Sequence, residues 1–287
     1  MTENIVTLKD GRKLAFTEHG ASDGHALIFI HGNPGSRLMR HPDESIAESM
    51  GVRIITPDRP GFGLSDFHEG RSLLSFADDI GQLADVLQLE QFALFGVSAG
   101  GPYTVAVAYK LGDRVTRAAI ASGAAPFDRE NAYEDVNPTY TQAYKLAKWP
   151  GWLLSPLMGR ADKKAVTKPD VYWQGVLERS NDYDRKMLSN TVLGEQVKGY
   201  MPEAIRQGSR ARVQEAKILV SPWGFPLEQV SPEVQLWYWD GDSIVPPQMG
   251  RYLESRIPNT QIHYLPGGGH FAFIEHWQDI LKHLISG

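Results

Sequence analysis

The sequence predicts an α/β protein: a mostly parallel eight-stranded sheet with helices on both faces, interrupted once by an inserted helical cap. Two observations carry that expectation. Short continuous apolar runs alternate with longer segments of helical spacing, the signature of strands joined by crossover helices. The alternation stops near Pro126 and resumes near Glu233, and the stretch between is helical and aromatic with little strand character. The chain has 287 residues and 42% hydrophobic content, enough for one sizeable core with an inserted second lobe.

Taken in order, Ile5–Lys9 and Arg12–His19 read as two strands joined at Asp10-Gly11, a hairpin dipeptide. Ala26–Ile30 is a continuous apolar run suited to a central strand, and it ends in the loop chemistry of "HGNPGSR". Met39–Met50 has helical spacing and Arg53–Thr56 is another buried strand, followed by the loop "PDRPGFGLSD". Leu73–Leu89 is an amphipathic helix, with Leu73, Phe76, Ile80, Leu83, Ala84 and Leu87 on one stripe. Phe92–Val97 is a strand, Tyr103–Leu111 a helix and Arg117–Ala121 a strand.

Residues 126–232 then form the expected cap, because structureless loops of that length are rare. Strand Val234–Trp239, helix Gln248–Arg256, strand Gln261–Leu265 and helix Phe271–Ile285 complete the core, which spans 1–125 and 233–287.

Composition excludes several classes of function. The net charge is −5 with no basic run, so nucleic acid is not an expected partner. There are no cysteines, which removes disulfides, thiolate metal sites and a cysteine nucleophile. No apolar run approaches the ~20 residues of a membrane span. The first residues, Met1-Thr-Glu-Asn-Ile, lack the charged and apolar regions of a signal peptide. A cytoplasmic location and no membrane association are the expectations.

The motif that points to chemistry is Gly96-Val97-Ser98-Ala99-Gly100, a G-x-S-x-G segment between a predicted strand and a predicted helix. A serine on so sharp a turn needs small residues two positions to either side, and it stands above the carboxyl ends of the strands, where such sheets bind ligands. Ser98 is therefore the candidate nucleophile. Its oxyanion donors are expected to be the N–H of Ala99 and the N–H of Asn33, in the Gly-rich loop after the third strand. His31, in the same loop, is read as structural.

A histidine base suits proton transfer near neutral pH. His270 is preferred among the nine histidines because it follows "YLPGGG" at the exit of the last strand, where glycines leave room for an imidazole. His276 and His283 fall on the terminal helix. For the acid, "WDGDSIVPP" offers Asp240 and Asp242. Asp242 is preferred because it lies further into the loop, and Asp128 is a third choice. The chain order Ser98, Asp242, His270 is nucleophile, acid, base.

The segments "HGNPGSR", "DRPGFGLSD", "GVSAGG", "DGDSIVPPQMGRYL" and "LPGGGHF" together resemble the α/β-hydrolase superfamily, over nearly the whole chain outside the insertion. The resemblance implies a D-x-x-V-P segment for the acid, which Asp242-Ser-Ile-Val-Pro246 matches, and a structural role for Asp58. It implies a lid formed by the insertion, whose aromatics suit an apolar substrate. "HGNP" is similar to dehalogenases and epoxide hydrolases, but their nucleophile is an aspartate and position 98 is serine. The expectation is a cofactor-free and metal-free serine hydrolase of a small-molecule ester, with Phe62, Trp149, Trp152, Trp173 and Phe271 as substrate-contact candidates. C–C bond hydrolase, lactonase, lyase and acyltransferase chemistry use the same three residues. A catalytically silent ligand-binding protein is the remaining alternative.

Overall fold

The computed structural model describes residues 2–189 and 191–286. Among the described residues there are eight strands: β1 (Thr2–Thr7), β2 (Lys13–Gly20), β3 (His25–Ile30), β4 (Val52–Pro57), β5 (Phe92–Val97), β6 (Val115–Ala121), β7 (Val234–Trp239) and β8 (Thr260–Leu265). They form one sheet in the order β1-β2-β4-β3-β5-β6-β7-β8. β2 runs antiparallel to β1 and β4, and every pair from β4 to β8 is parallel. The predicted hairpin at Asp10-Gly11 is formed, with Gly11 at φ +86° in the left-handed conformation that glycine adopts without steric cost.

Five helices flank the strands in sequence: α1 (Ser45–Ser49), α2 (Leu73–Val86), α3 (Gly100–Lys110), α10 (Pro247–Arg256) and α11 (Trp277–Ile285). Six more, α4 (Pro138–Ala147), α5 (Gly151–Thr167), α6 (Pro169–Arg179), α7 (Asp182–Leu188), α8 (Val192–Ala204) and α9 (Arg210–Val220), form a helical insertion between β6 and β7.

The period-two alternation of a strand explains the two-sided core. In β5, Phe92 and Leu94 join the cluster beneath α2, α3 and α10, whereas Ala93, Phe95 and Val97 join the one beneath α1 and α11. β3 divides the same way, with Ile28 and Ile30 on the first side and Leu27 and Phe29 on the second. A strand buried on both faces has no polar side to show, so it appears in the sequence as an unbroken apolar run. On the second side, Trp277 packs edge-on against Phe29 at 5.4 Å and Phe95 at 5.3 Å between ring centroids.

Two helices differ from expectation by more than a turn. The helix expected over Met39–Met50 is only the short α1, because Pro42 disfavours helical torsions at His41 and Asp43 accepts the Ser45 N–H at 3.0 Å, which starts the helix there. The helix expected over Phe271–Ile285 begins instead with a 3₁₀ turn at Ala272–Ile274 and becomes α-helical from Trp277.

Phe95 has no exposed surface. Phe95→Ala is expected to cost about 3–5 kcal/mol, through lost burial and the cavity left between Phe29, Phe273 and Trp277. Equilibrium urea unfolding checks this, and a cost below about 1 kcal/mol would show that this side of the sheet repacks freely.

Candidate active site

The loops that carry the candidate residues leave the carboxyl ends of β3, β5, β7 and β8 on the parallel part of the sheet. Ser98 follows β5 directly and sits at φ +54°, with α3 starting two residues later. Its backbone N–H donates to the Ala121 carbonyl of β6 at 3.0 Å, and its carbonyl accepts from Gly101 at 3.0 Å. The flanking glycines are required: a Cβ at Gly96 would run into Thr104 Oγ1, and one at Gly100 into the Ile30 carbonyl oxygen.

The loop after β3 packs onto this turn. A Cβ at Gly32 would lie 3.3 Å from Ser98 Cβ and 3.8 Å from its Oγ, so the Asn33 backbone follows immediately beside the serine. Among the described residues, neither the Asn33 nor the Ala99 N–H donates to another group. The Asn33 side-chain oxygen is buried and also without a partner.

His270 Nδ1 donates to Asp242 Oδ2 at 2.8 Å. The other Asp242 oxygen accepts the N–H groups of Ile244 (2.9 Å) and Val245 (3.0 Å), which fixes the carboxylate in its loop. Asp240 is exposed and Asp242 is buried. Burial works against a charged His270 imidazole, but the charge and hydrogen bond of Asp242, joined by the charge of Asp184, outweigh it and raise the pKa above its ordinary value. With Nδ1 bound to Asp242, Nε2 is the ring nitrogen left free to take a proton. Among the described residues Ser98 Oγ has no hydrogen-bond partner, His270 included, and such contacts tighten when substrate binds.

His31 is buried, and its Nε2 accepts the Arg59 N–H at 3.2 Å while Nδ1 donates to the Gly32 carbonyl at 2.8 Å. Burial and the nearby Arg59 charge hold its pKa well below the ordinary range, so it is a neutral strut of the loop. The Arg59 guanidinium donates to the His31 carbonyl and, at 3.1 Å, to that of Gly32. Arg59 is itself paired with Glu215 of α9 at 2.9 Å, and Glu215 also pairs with Arg71 at 2.8 Å and accepts from Tyr103 OH at 2.8 Å. Asp58 is a second buried group here. It accepts the Arg37 N–H at 2.6 Å and pairs with the Arg37 guanidinium, which also reaches Glu203 of α8 at 2.6 Å. Burial pushes the Asp58 carboxyl up to about 6.

The five substrate-contact candidates separate. Phe62 has no exposed surface and is enclosed by His31, Arg59 and Arg71, so it supports the loop from behind. Trp173 is buried with Leu188, Leu193 and Val197 inside the insertion. Trp149, between α4 and α5, and Trp152, in the first turn of α5, correct the expectation more sharply: they are 52% and 74% exposed. Phe271 is half-buried, edge-on to the His270 ring at 5.9 Å.

Tyr140 and Tyr144, read in the sequence only as two of the insertion's aromatics, and Asp184 were not among the site candidates. Tyr140 and Tyr144 of α4 lie within electrostatic reach of Asp242, and burial raises both hydroxyl pKa values. Asp184 of α7 accepts two backbone N–H groups of the His270 loop. Nothing in a helical segment marks a carboxylate that points back into a sheet domain. The glycines before His270 are also explained differently from expectation. Gly269 leaves room for this carboxylate, since a Cβ there would stand 2.5 Å from Asp184 Oδ1.

Among the described residues, no cluster of three or more His, Asp or Glu side chains is arranged to hold a metal ion, and no helix is long and apolar enough to cross a membrane. A family model described as alpha/beta hydrolase fold matches residues 25–276. The 2-hydroxy-6-oxo-6-phenylhexa-2,4-dienoate hydrolase of Burkholderia cepacia is 24% identical over 96% of this chain and 92% of its own length. An uncharacterized hydrolase of Saccharomyces cerevisiae is 32% identical, but over only 45% of this chain and 43% of its own length. Among solved structures, the enol-lactonase of Burkholderia xenovorans LB400 superposes with a TM-score of 0.73 at 16% identity, covering 99% of this chain and all of its own. An esterase from Exiguobacterium antarcticum gives 0.73 at 19% identity, covering 99% and 98%. At such identities the structures show a shared fold.

Glu215→Ala would leave Arg59 and Arg71 buried without their counter-charge. The expected loss is about 3–5 kcal/mol of stability, read as a fall in the urea midpoint. A variant as stable as the parent would show that water reaches this cluster.

Proposed function

This chain belongs to the alpha/beta hydrolase fold family, and on that premise we propose that it is a serine hydrolase cleaving a carboxylic ester or related acyl bond of a small, largely apolar substrate. The observation that carries the reading is a serine on a left-handed turn beside two backbone N–H groups without partners, in a protein where a buried aspartate orients a histidine.

His270 Nε2 takes the Ser98 proton as Oγ attacks the substrate carbonyl carbon. The N–H groups of Asn33 and Ala99 hold the resulting oxyanion. Collapse breaks the bond to the leaving group, which departs with the proton held by His270. A water molecule, deprotonated by His270, then attacks the acyl-enzyme, and the acid is released as Ser98 recovers its proton. Asp242 holds the imidazole and stabilises its charged form throughout. Residues 126–232 serve as a cap over the core of 1–125 and 233–287, with Phe271, Tyr140 and Tyr144 as the apolar walls nearest the base. No cofactor enters any step.

The full-length relative from Burkholderia cepacia favours a second reading, hydrolysis of a C–C bond in a vinylogous diketone. The same three residues serve it.

Hydrolysis of p-nitrophenyl esters from acetate to decanoate tests the proposal. Ser98→Ala is expected to lose at least about 10⁴-fold in kcat. A variant that keeps most of its turnover removes Ser98 as nucleophile. A wild-type protein inert on every ester but active on vinylogous diketones establishes the second reading.

The pH profile has a defined sign. His270 must be neutral to act as base, and its pKa is raised. The acid limb of kcat/KM should therefore lie above the ordinary histidine value of about 6.5. Asp242→Asn should lower both that limb and the plateau. A limb near pH 5 in the wild type would contradict the assignment.

A further inference from the structure

We propose that Asp184, a carboxylate of the helical insertion, is a positioning residue for His270, and that the first turn of α7 clamps the acid loop and the base loop to each other. This rests on the reading of His270 as the general base.

The geometry is specific. Asp184 Oδ2 accepts the His270 backbone N–H at 2.9 Å, and Oδ1 accepts that of Phe271 at 2.9 Å. One carboxylate thus holds two successive amides, which fixes the orientation of the peptide plane from which the imidazole projects. Asp184 is 2% exposed, so little water competes for these bonds. Gly269 accommodates the carboxylate.

The same turn grips the acid loop. Asn181, which precedes α7, donates from Nδ2 to the Gly241 carbonyl at 3.0 Å, one residue before Asp242. Its Oδ1 accepts the Asp184 N–H at 2.7 Å. Asn181 and Asp184 therefore form one rigid unit with a contact on each side of the Asp242–His270 pair. A segment 86 residues from His270 in sequence sets the separation of the two loops on which proton transfer depends.

The charge matters as well as the hydrogen bonds. The charges acting on His270 are those of Asp242, on the loop after β7, and Asp184, on α7. The titratable groups around them are Tyr140 and Tyr144 of α4, Tyr183 of α7, whose OH donates to Glu275, and Tyr238 of β7. Arg179 of α6 faces Tyr140. Burial raises the pKa of Asp184, while the two amides and His270 oppose that rise and favour its ionised form.

Asp184→Asn keeps the side-chain size, removes the charge and leaves one amide without an acceptor. The experiment has two arms. In the first, ¹³C-histidine NMR follows the titration of His270 in wild type and variant without substrate, assigned by the signal missing in His270→Gln. The titration should move to lower pH by about one unit. In the second, ester kinetics should show kcat lower by about 10- to 100-fold with KM little changed, and the acid limb shifted down in step with the NMR value. Gly269→Ala, which displaces the carboxylate without altering it, is the second variant and should lower kcat with KM little changed. A variant that folds with an unmoved His270 titration and wild-type kcat overturns the clamp. A moved titration in a protein whose wild type turns over no ester leaves the clamp standing and removes the esterase reading instead.

Discussion

Ser98 occupies φ +54° at the end of a fully buried strand, and much of the surrounding architecture makes that torsion tolerable. A non-glycine residue in this region costs on the order of 1–3 kcal/mol, so it persists only where its neighbours over-determine it. The turn is held by the Ala121 carbonyl on one side and by the Gly101 N–H on the other. Gly96 and Gly100 permit Thr104 and the β3 backbone to press directly against it. Parallel strands then bring the loops after β3, β5, β7 and β8, which carry the candidate residues, to the same edge of the sheet.

Behind the β3 loop the protein keeps charge where an ordinary core would be apolar. Arg59, Arg71 and Glu215 have fully buried side chains, and such clusters add little net stability compared with well-packed apolar side chains. What they supply is direction. Arg59 has donors to spare after pairing with Glu215, and it aims them at the His31 and Gly32 carbonyls. Neutral His31, hydrogen-bonded at both ring nitrogens, completes the scaffold. The loop that precedes Asn33 is therefore rigid on its inner side before any ligand arrives.

The sheet was legible because each central strand is buried on both faces and so leaves an unbroken apolar run, β5 and β7 to the residue. Helix ends were less legible where a single side chain decides them, as Asp43 does for α1. At the site, Ser98, Asp242 and His270 sit in local patterns of glycine, proline and strand exit that a sequence displays. Asp184 and Glu215 do not, because their partners lie 86 and 156 residues away and no spacing rule connects them. Trp149 and Trp152 misled for a related reason. An aromatic residue reads as apolar wall or core wherever it falls, and only the three-dimensional packing shows that these two stand in solvent.

The carboxylates by which the insertion grips the sheet domain also bear on how this chain can diverge. Glu203, Glu215 and Asp184 come from three different insertion helices, and each meets a fixed group of the sheet domain. A relative that acquired a foreign insertion would inherit Arg59 and Arg71 without Glu215, while Arg37 would lose Glu203 and keep Asp58. Substitutions at these positions must travel together, as matched sets. Recombination across the β6 and β7 boundaries is accordingly a poor route to new specificity in this lineage. Gradual change on the exposed surfaces of the insertion, away from its buried anchors, is the open one.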